Sequence, residues 1–223
     1  MRTIRTLILD FDGVLVESNE VKRQAFEDLF AMYPPYSRAM MDYHLANHAL
    51  PRMLKFEHCV YRIMGRPGEQ ESVLIMAERF SGLVKGRVIE CPEVPGAGAF
   101  LEEFSRRVPL YVSSVTPRDE LGDIVAARGL SRFFKDLFGD PPFRKSEAIE
   151  VVLHRERLSP PEVVFVGDSP SDYRAAEEAG LEFIGRNSGR RFDGLDVELH
   201  RDLYEIGELL RDRISRSDGY GSK

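Results

Sequence analysis

Short apolar segments recur along the chain, and helical patterns of apolar residues separate them. Runs of this kind are typical of strands buried on both faces of a parallel sheet. Five segments are predicted as strands: 6–9, 108–112, 133–138, 163–166 and 181–184. A final helix is predicted at about 203–214, and we expect the polar tail at 215–223 to fray. Strands that alternate with helices predict an α/β fold built on a doubly wound parallel sheet.

The stretch from about 18 to 90 differs from the rest of the chain. It contains helical patterns and no convincing strand, and turn residues at 34–35 and 65–68 interrupt it. The pattern therefore predicts an all-helical insert at 18–90. The two flanking segments, 1–17 and 91–223, then form the core domain.

Composition narrows the class of protein further. The 223 residues include 31 basic and 37 acidic side chains, a net charge of −6 that argues against a nucleic-acid partner. No apolar run approaches the roughly 20 residues of a membrane helix, and the N-terminus does not resemble a signal peptide. Cys59 and Cys91 have no paired spacing and indicate reduced thiols. We expect a cytoplasmic protein without a membrane or nucleic-acid partner, and its oligomeric state stays open.

Polar residues with useful chemistry directly follow the predicted strands. Asp10 and Asp12 follow the first strand, Ser113 and Ser114 follow the second, and Asp168 follows the strand at 163–166. In a doubly wound sheet the ligand site lies where the carboxyl ends of the strands meet. The pattern therefore places these side chains at one edge of the sheet.

Crowded carboxylates repel one another, so a cation is needed to hold them together. A hard, oxygen-seeking ion such as Mg²⁺ suits them and commonly bridges carboxylates and phosphate. Lys145, at the start of a predicted helix, would offset more of the negative charge. One carboxylate can then attack phosphorus, and a neighbour two positions along can protonate the leaving oxygen. This chemistry is phosphoryl transfer.

Two segments resemble motifs of the haloacid dehalogenase (HAD) superfamily. Residues 10–18, which begin Asp-Phe-Asp-Gly, resemble its first motif, and residues 167–172 resemble its fourth. The resemblance extends over about 6–186. The helical insert is similar to the α-helical cap, of the C1 type, in the phosphoglycolate-phosphatase-like branch. A Rossmann-like core is the fold that this resemblance implies.

The resemblance implies a role for each matching acid. Asp10 would be the nucleophile that becomes aspartyl-phosphate, and Asp12 would act as general acid and then as base. Asp10, the backbone carbonyl of Asp12 and the side chain of Asp168 would bind Mg²⁺. Asp172 would belong to the metal shell or orient the lysine. As an acid at the third position of a helix capped by Ser169, it also fits a purely structural role.

The second and third motifs match less closely. Ser114 fits the family's Ser/Thr-x-x-Pro form because Pro117 follows three residues later, while Ser113 remains an alternative for holding the phosphate. Ser113 and Val115 are also candidate substrate contacts. Lys145 is assigned to the third motif, although a solvated lysine at a helix start is the alternative.

Two further helix starts follow from local sequence. Thr116 followed by Pro117 predicts an N-cap for the helix after the second strand. A helix that begins at Pro51 carries four cations at steps of three or four residues: Arg52, Lys55, His58 and Arg62. This stripe is a candidate site for an anionic substrate, with a solvated helix face as the alternative.

Asp12 indicates the reaction class. Superfamily members that cleave C–Cl or C–P bonds lack this acid, whereas phosphatases and phosphomutases carry it. The resemblance therefore implies a Mg²⁺-dependent phosphatase that acts on a small phosphorylated metabolite. A phosphomutase and a non-hydrolytic phospho-acceptor or regulatory protein are the alternatives. The sequence leaves the choice of phosphate ester open.

Overall fold

The computed structural model describes residues 3–48 and 50–214, so the predicted tail at 215–223 lies outside the described residues. The chain divides into two compact units. One consists of Met1–Glu17 and Pro92–Lys223, and the other consists of Ser18–Cys91. The first unit holds the sheet, and the second is helical among its described residues. Cys91, which the sequence analysis assigned to the core, falls in the helical unit.

The described part of the first unit contains one parallel sheet of six strands. These are β1 (Thr6–Leu9), β2 (Leu110–Ser114), β3 (Asp136–Gly139), β4 (Val163–Gly167), β5 (Glu182–Arg186) and β6 (Leu199–His200). Their order is β3-β2-β1-β4-β5-β6 and every pairing is parallel, which confirms the predicted α/β sheet. β6 was not predicted, because two residues are too few to show a period.

The order of the strands reverses at β1, which lies between β2 and β4. Such a reversal opens a crevice at the carboxyl ends of the strands. Leu9 is in register with Val112 on one side and with Val166 on the other. Asp10, Ser113 and Gly167, which follow these three positions, therefore lie at the same level of the sheet.

Five α-helices belong to the described part of the sheet-containing unit. They are α5 (Ala97–Phe104), α6 (Arg118–Ala127), α7 (Lys145–Glu156), α8 (Pro170–Glu178) and α9 (Leu203–Arg211). Ile149 and Val152 of α7 and Ala176 of α8 pack in one buried cluster with Tyr111 and Phe165 of the sheet. Each large apolar side chain buried in this way stabilises the fold by about 1.5–3 kcal/mol. This packing fixes the starts of α7 and α8 relative to the strand ends.

The starts of α6 and α8 test the capping predictions. Ser169 is the N-cap of α8, as predicted, and its hydroxyl accepts a hydrogen bond from the Asp172 N–H. The prediction for α6 was wrong: Pro117 takes the N-cap position, and Thr116 lies one residue farther out. The Thr116 hydroxyl instead donates to a carboxylate from another part of the chain.

Among its described residues, at 18–48 and 50–91, the second unit contains four α-helices and one π-helical segment. They are α1 (Asn19–Ala31), α2 (Ser37–Ala46), α3 (Arg52–His58), the π-helical segment Cys59–Ile63 and α4 (Gln70–Glu90). Phe26 of α1 packs against Phe80 of α4 with ring centroids 4.2 Å apart, and both rings are buried. No helix in the described parts of either unit is long and apolar enough to cross a membrane.

Candidate active site

The carboxyl ends of β1, β2 and β4 bring together the polar residues predicted from the sequence. Asp10 directly follows β1, Asp168 directly follows β4, and Ser113 and Ser114 are the last residues of β2. All four are at most 5% exposed. Ser113 and Ser114 were expected just after their strand and are instead part of it.

Lys145, the first residue of α7, joins two of the acids. Its ammonium Nζ lies 2.9 Å from Asp10 Oδ2 and also donates to Asp172 Oδ1. The lysine side chain is only 10% exposed. The alternative of a solvated lysine at a helix start is therefore wrong for Lys145.

The charges of this cluster shift the pKa values of Asp10 and Lys145. Burial raises the pKa of the Asp10 carboxyl from its ordinary 3.8 to about 8, Lys145 opposes that rise, and the carboxylates of Asp172, Asp168 and Asp12 add to it. Burial alone would lower the pKa of Lys145, but the carboxylates of Asp10 and Asp172 outweigh burial and raise it. The site thus holds more negative charge than one lysine offsets.

Three acids of the site lie close enough together to act as ligands of one metal ion. One carboxylate oxygen from each of Asp10, Asp168 and Asp172 lies within 4.8 Å of the other two, and all three residues are buried. Hard oxygen donors with excess negative charge are the donor set that Mg²⁺ prefers. The residues therefore fit the predicted ion. Asp172 belongs to this group and also contacts Lys145, whereas the resemblance placed it either in the metal shell or as the residue that orients the lysine.

Asp172 also has the structural role that its place in α8 suggests. Its Oδ2 accepts hydrogen bonds from the Asp168 N–H at 3.2 Å, the Ser169 N–H at 3.1 Å and the Ser169 hydroxyl at 2.6 Å. A Cβ added to Gly167 would overlap Asp172 and lie 2.7 Å from its Cγ. Gly167 therefore leaves the space that Asp172 occupies next to β4.

Asp12 is held by two hydroxyl groups from the end of β2. Ser114 Oγ donates to Asp12 Oδ2 at 3.2 Å, and Thr116 Oγ1 donates to the same oxygen at 3.3 Å. The Thr116 N–H in turn donates to Ser114 Oγ at 3.1 Å. Sequence analysis assigned Thr116 only to a helix cap and so missed its contact with Asp12.

A second residue of the site was missed altogether. Arg190 Nε lies 3.4 Å from Asp168 Oδ2, with the arginine side chain 35% exposed and the aspartate fully buried. Arg190 lies between β5 and β6, where the local sequence has no period or motif that marks a contact with β4. Only the folded chain brings this second cation to the acid cluster.

The remaining candidates from the β2 region differ in exposure. Ser113 is 1% exposed and is in register with Phe138 of β3. Val115 follows the strand and is half-buried. Both remain predicted substrate contacts, and the choice between Ser113 and Ser114 for the phosphate remains a prediction as well.

Two residues of the cationic stripe in the helical unit, Arg52 and Lys55, are buried and do not form a solvated helix face. Arg52 is 8% exposed and donates to Ser81 Oγ at 3.0 Å, and Lys55 is 3% exposed and donates to the His48 carbonyl at 3.0 Å. The Lys55 ammonium also lies 5.3 Å from the centre of the Phe26 ring. These contacts place two of the four cations inside the unit.

The other two cations of the stripe have different surroundings. His58 stacks on Tyr43 with ring centroids 3.7 Å apart. Arg62 lies in the π-helical segment and is exposed. An anion-binding role for Arg52, Lys55, His58 and Arg62 stays a prediction.

Comparison with known proteins agrees with the motifs at the strand ends. The sequence model of the haloacid dehalogenase-like hydrolase family matches residues 7–186, which confirms the resemblance seen in the sequence. Among curated proteins, no sequence matches this chain significantly.

Solved structures share the fold at low sequence identity. YfnB from Bacillus subtilis, bound to magnesium, is 19% identical with a TM-score of 0.69 over 94% of this chain and 99% of that one. A CbbY mutant from Rhodobacter sphaeroides, in complex with xylulose-(1,5)bisphosphate, is 19% identical with a TM-score of 0.72 over 92% and 96%. A predicted phosphoglycolate phosphatase from Haemophilus somnus is 19% identical with a TM-score of 0.69 over 94% and 99%. At these identities the likeness establishes the fold.

Proposed function

The chain belongs to the haloacid dehalogenase-like hydrolase family, and from that premise we propose that it is a Mg²⁺-dependent phosphatase acting on phosphate monoesters of small metabolites. One observation carries the proposal. Asp10 lies at the end of β1 within hydrogen-bonding distance of a buried lysine, inside a cluster of carboxylates that suits a divalent cation. Nucleophile, counter-charge and metal ligands are thus present in one place.

Asp10, Asp168 and Asp172 would hold the ion, together with the backbone carbonyl of Asp12 that the family resemblance implies. Bound Mg²⁺ would neutralise the oxygens of the phosphoryl group and the carboxylates around it. Lys145 would orient Asp10, since its ammonium contacts Asp10 Oδ2 at 2.9 Å, and Lys145 and the bound ion together would keep this carboxyl ionised. A carboxylate held in this way is ready to attack.

In the first half-reaction, an oxygen of the Asp10 carboxylate attacks phosphorus. A new P–O bond forms to Asp10 while the bond from phosphorus to the ester oxygen breaks. The leaving oxygen takes a proton from the Asp12 carboxyl and departs as an alcohol. The product on the enzyme is an aspartyl-phosphate at position 10.

In the second half-reaction, the ionised Asp12 takes a proton from water, and the water oxygen attacks the phosphoryl group. The P–O bond to Asp10 breaks, which releases inorganic phosphate and restores the Asp10 carboxylate. The hydroxyls of Ser114 and Thr116 would hold Asp12 in place, since both donate to its Oδ2. Ser113 or Ser114 would also contact the phosphoryl oxygens.

Asp12 favours ester hydrolysis over dehalogenation, because an alkoxide leaving group needs a proton and chloride does not. Two of the structures with this fold are named for phosphate compounds: one is a predicted phosphoglycolate phosphatase and the other holds a sugar bisphosphate. We extend the proposal to a small phosphorylated substrate, a cytoplasmic location and no nucleic-acid or membrane partner.

Phosphate release from a panel of small phosphate esters, with Mg²⁺ and with EDTA, tests this function. We expect Mg²⁺-dependent release that Asp10→Asn abolishes and that Asp119→Asn, an exposed aspartate in the first turn of α6, leaves unchanged. No release from any ester, by a folded protein that binds Mg²⁺, would contradict a phosphatase. Isomerisation of a sugar phosphate much faster than phosphate release would show a phosphomutase instead.

A further inference from the structure

Arg186, the last residue of β5, reaches across the edge of the sheet to the chain that follows β1. Its side chain is 8% exposed. One guanidinium nitrogen donates to the Gly13 carbonyl at 3.1 Å and to the Glu17 carboxylate at 3.0 Å. A second nitrogen donates to the other oxygen of Glu17, and Nε donates to the Arg201 carbonyl at 3.3 Å. One side chain thus ties the segment at 13–17 to β5 and to the residue after β6.

The segment that Arg186 holds begins next to Asp12. Gly13 has a φ of +74°, a left-handed conformation that favours glycine, and its N–H donates to the Val16 carbonyl at 2.8 Å. These local bonds close the turn on itself. Arg186 adds contacts from a distant part of the chain, at Gly13 and at Glu17, which ends the first of the two segments of the sheet-containing unit.

The chemistry of Arg186 suits this task better than that of other cations. A buried guanidinium must have its N–H groups paired, and its planar fork can bond a carboxylate and a carbonyl at once. A lysine at this position would supply the charge but no fork. The contacts at Gly13, Glu17 and Arg201 therefore fix both the position and the plane of the Arg186 guanidinium.

A similar ion pair at the other end of β5 provides a comparison. Arg213 bonds both carboxylate oxygens of Glu182, the first residue of β5, with one contact at 2.7 Å. Glu182 lies at the opposite end of the strand from the carboxyl edge, where the site is. If Arg186 served only to stabilise the sheet, loss of either arginine would affect the reaction in the same way.

We propose that Arg186 is a positioning residue for Asp12, acting through Gly13 and Glu17. A general acid must lie within about 2.6–3.2 Å of the oxygen that it protonates. A displacement of about 1 Å can cost on the order of 100-fold in rate. Arg186 holds the turn after Asp12 so that this carboxyl reaches the leaving oxygen. The inference rests on the proposed phosphatase function.

Two esters that differ in their leaving group distinguish this role from a structural one. An alkyl phosphate releases an alkoxide that needs the proton from Asp12, whereas p-nitrophenyl phosphate releases a stable phenolate that does not. In Arg186→Met, kcat/KM for the alkyl ester should fall by about tenfold or more, and for the nitrophenyl ester by about threefold at most. Arg186→Lys should change the ratio of the two kcat/KM values by most of the same factor, because lysine lacks the planar fork of the guanidinium. Arg213→Met should leave the ratio unchanged.

Equal losses of kcat/KM for the two esters in Arg186→Met and Arg186→Lys would leave the ratio unchanged and would overturn the positioning role. A change of the same size in Arg213→Met would overturn it too.

If the Arg186 variants do not fold, Glu17→Gln decides the matter. Its side chain is 37% exposed, and the ratio should shift in the same direction by a smaller factor. If the wild type releases phosphate from neither ester, the proposed function fails and the positioning role falls with it. If it hydrolyses both and the ratio does not change, only the positioning role fails.

Discussion

Replacing Lys145 with methionine removes the cation that the Asp10 and Asp172 carboxylates share. At 2.9 Å and an effective dielectric constant near 20, the Lys145–Asp10 contact alone is worth about 6 kcal/mol before desolvation. Burial of the ammonium group opposes this by several kcal/mol. Losing one partner of a buried ion pair commonly costs about 3–5 kcal/mol, and we expect that loss in the metal-free protein at pH 9.

The cost should depend on pH because Asp10 titrates in the range where proteins are studied. Its pKa is raised to about 8 by burial and by the neighbouring carboxylates, so Asp10 holds a proton at pH 6 in the metal-free protein. Lys145 then pairs mainly with Asp172. We therefore expect the loss of stability in Lys145→Met to be clearly smaller at pH 6 than at pH 9.

Urea unfolding in EDTA at the two pH values measures both effects. Lys135→Met is the matched control, because Lys135 pairs with Glu156 at 2.7 Å while its own side chain is 49% exposed. Such a pair contributes about 1 kcal/mol or less. Equal losses in the two lysine variants, or a loss in Lys145→Met that does not change with pH, would refute the reasoning.

Three further outcomes follow from the same site. In EDTA, the stability of the wild type should fall between about pH 5 and pH 8 by up to about 1.4 kcal/mol per pH unit, because the folded state keeps a proton on Asp10 that the unfolded state has released. Asp10→Asn should remove this dependence of the unfolding free energy on pH, as measured by urea unfolding. A variant with the same dependence as the wild type would contradict the assignment of the proton to Asp10. Gly167→Ala should cost about 1–3 kcal/mol in thermal unfolding and weaken Mg²⁺ binding, because the new Cβ overlaps Asp172. Binding as tight as that of the wild type would show that Asp172 does not need this space. Arg190→Gln should tighten Mg²⁺ binding by about fivefold in calorimetry, since a positive charge leaves the acid cluster, whereas the exposed Arg191→Gln should not.

Local sequence predicted those features that depend on local physics. Leu7–Leu9 of β1 and Val163–Val166 of β4 are apolar because both faces of these strands are buried, and a run of that kind can be recognised without the fold. The start of α8 was predictable because Ser169 and Pro170 satisfy the first turn of a helix by themselves. Asp10 and Asp168 followed from the rule that strand ends carry the ligand site.

Features set by distant parts of the chain could not be read in this way. Thr116 resembles a helix cap, yet its hydroxyl donates to Asp12, which lies on another strand end. Arg190 reaches Asp168 only because β5 lies beside β4. Arg52 and Lys55 show the spacing of a solvated face, but packing within the helical unit buries both of them. In each case a contact distant in sequence determines the surroundings of the side chain.

The central claim is that Asp10 becomes phosphorylated during turnover, and trapping that state tests it most directly. Wild-type protein and Mg²⁺ would be mixed with a phosphate ester that it hydrolyses, quenched in acid within one turnover, digested and examined by mass spectrometry. Borohydride reduction of the acyl phosphate would mark the modified residue. We predict that the phosphoryl group in the untreated digest maps to Asp10, and that the primary alcohol formed with loss of phosphate in the borohydride-treated digest maps to the same position. A phosphoryl group on another residue, or turnover of the ester without any covalent intermediate, would contradict the mechanism.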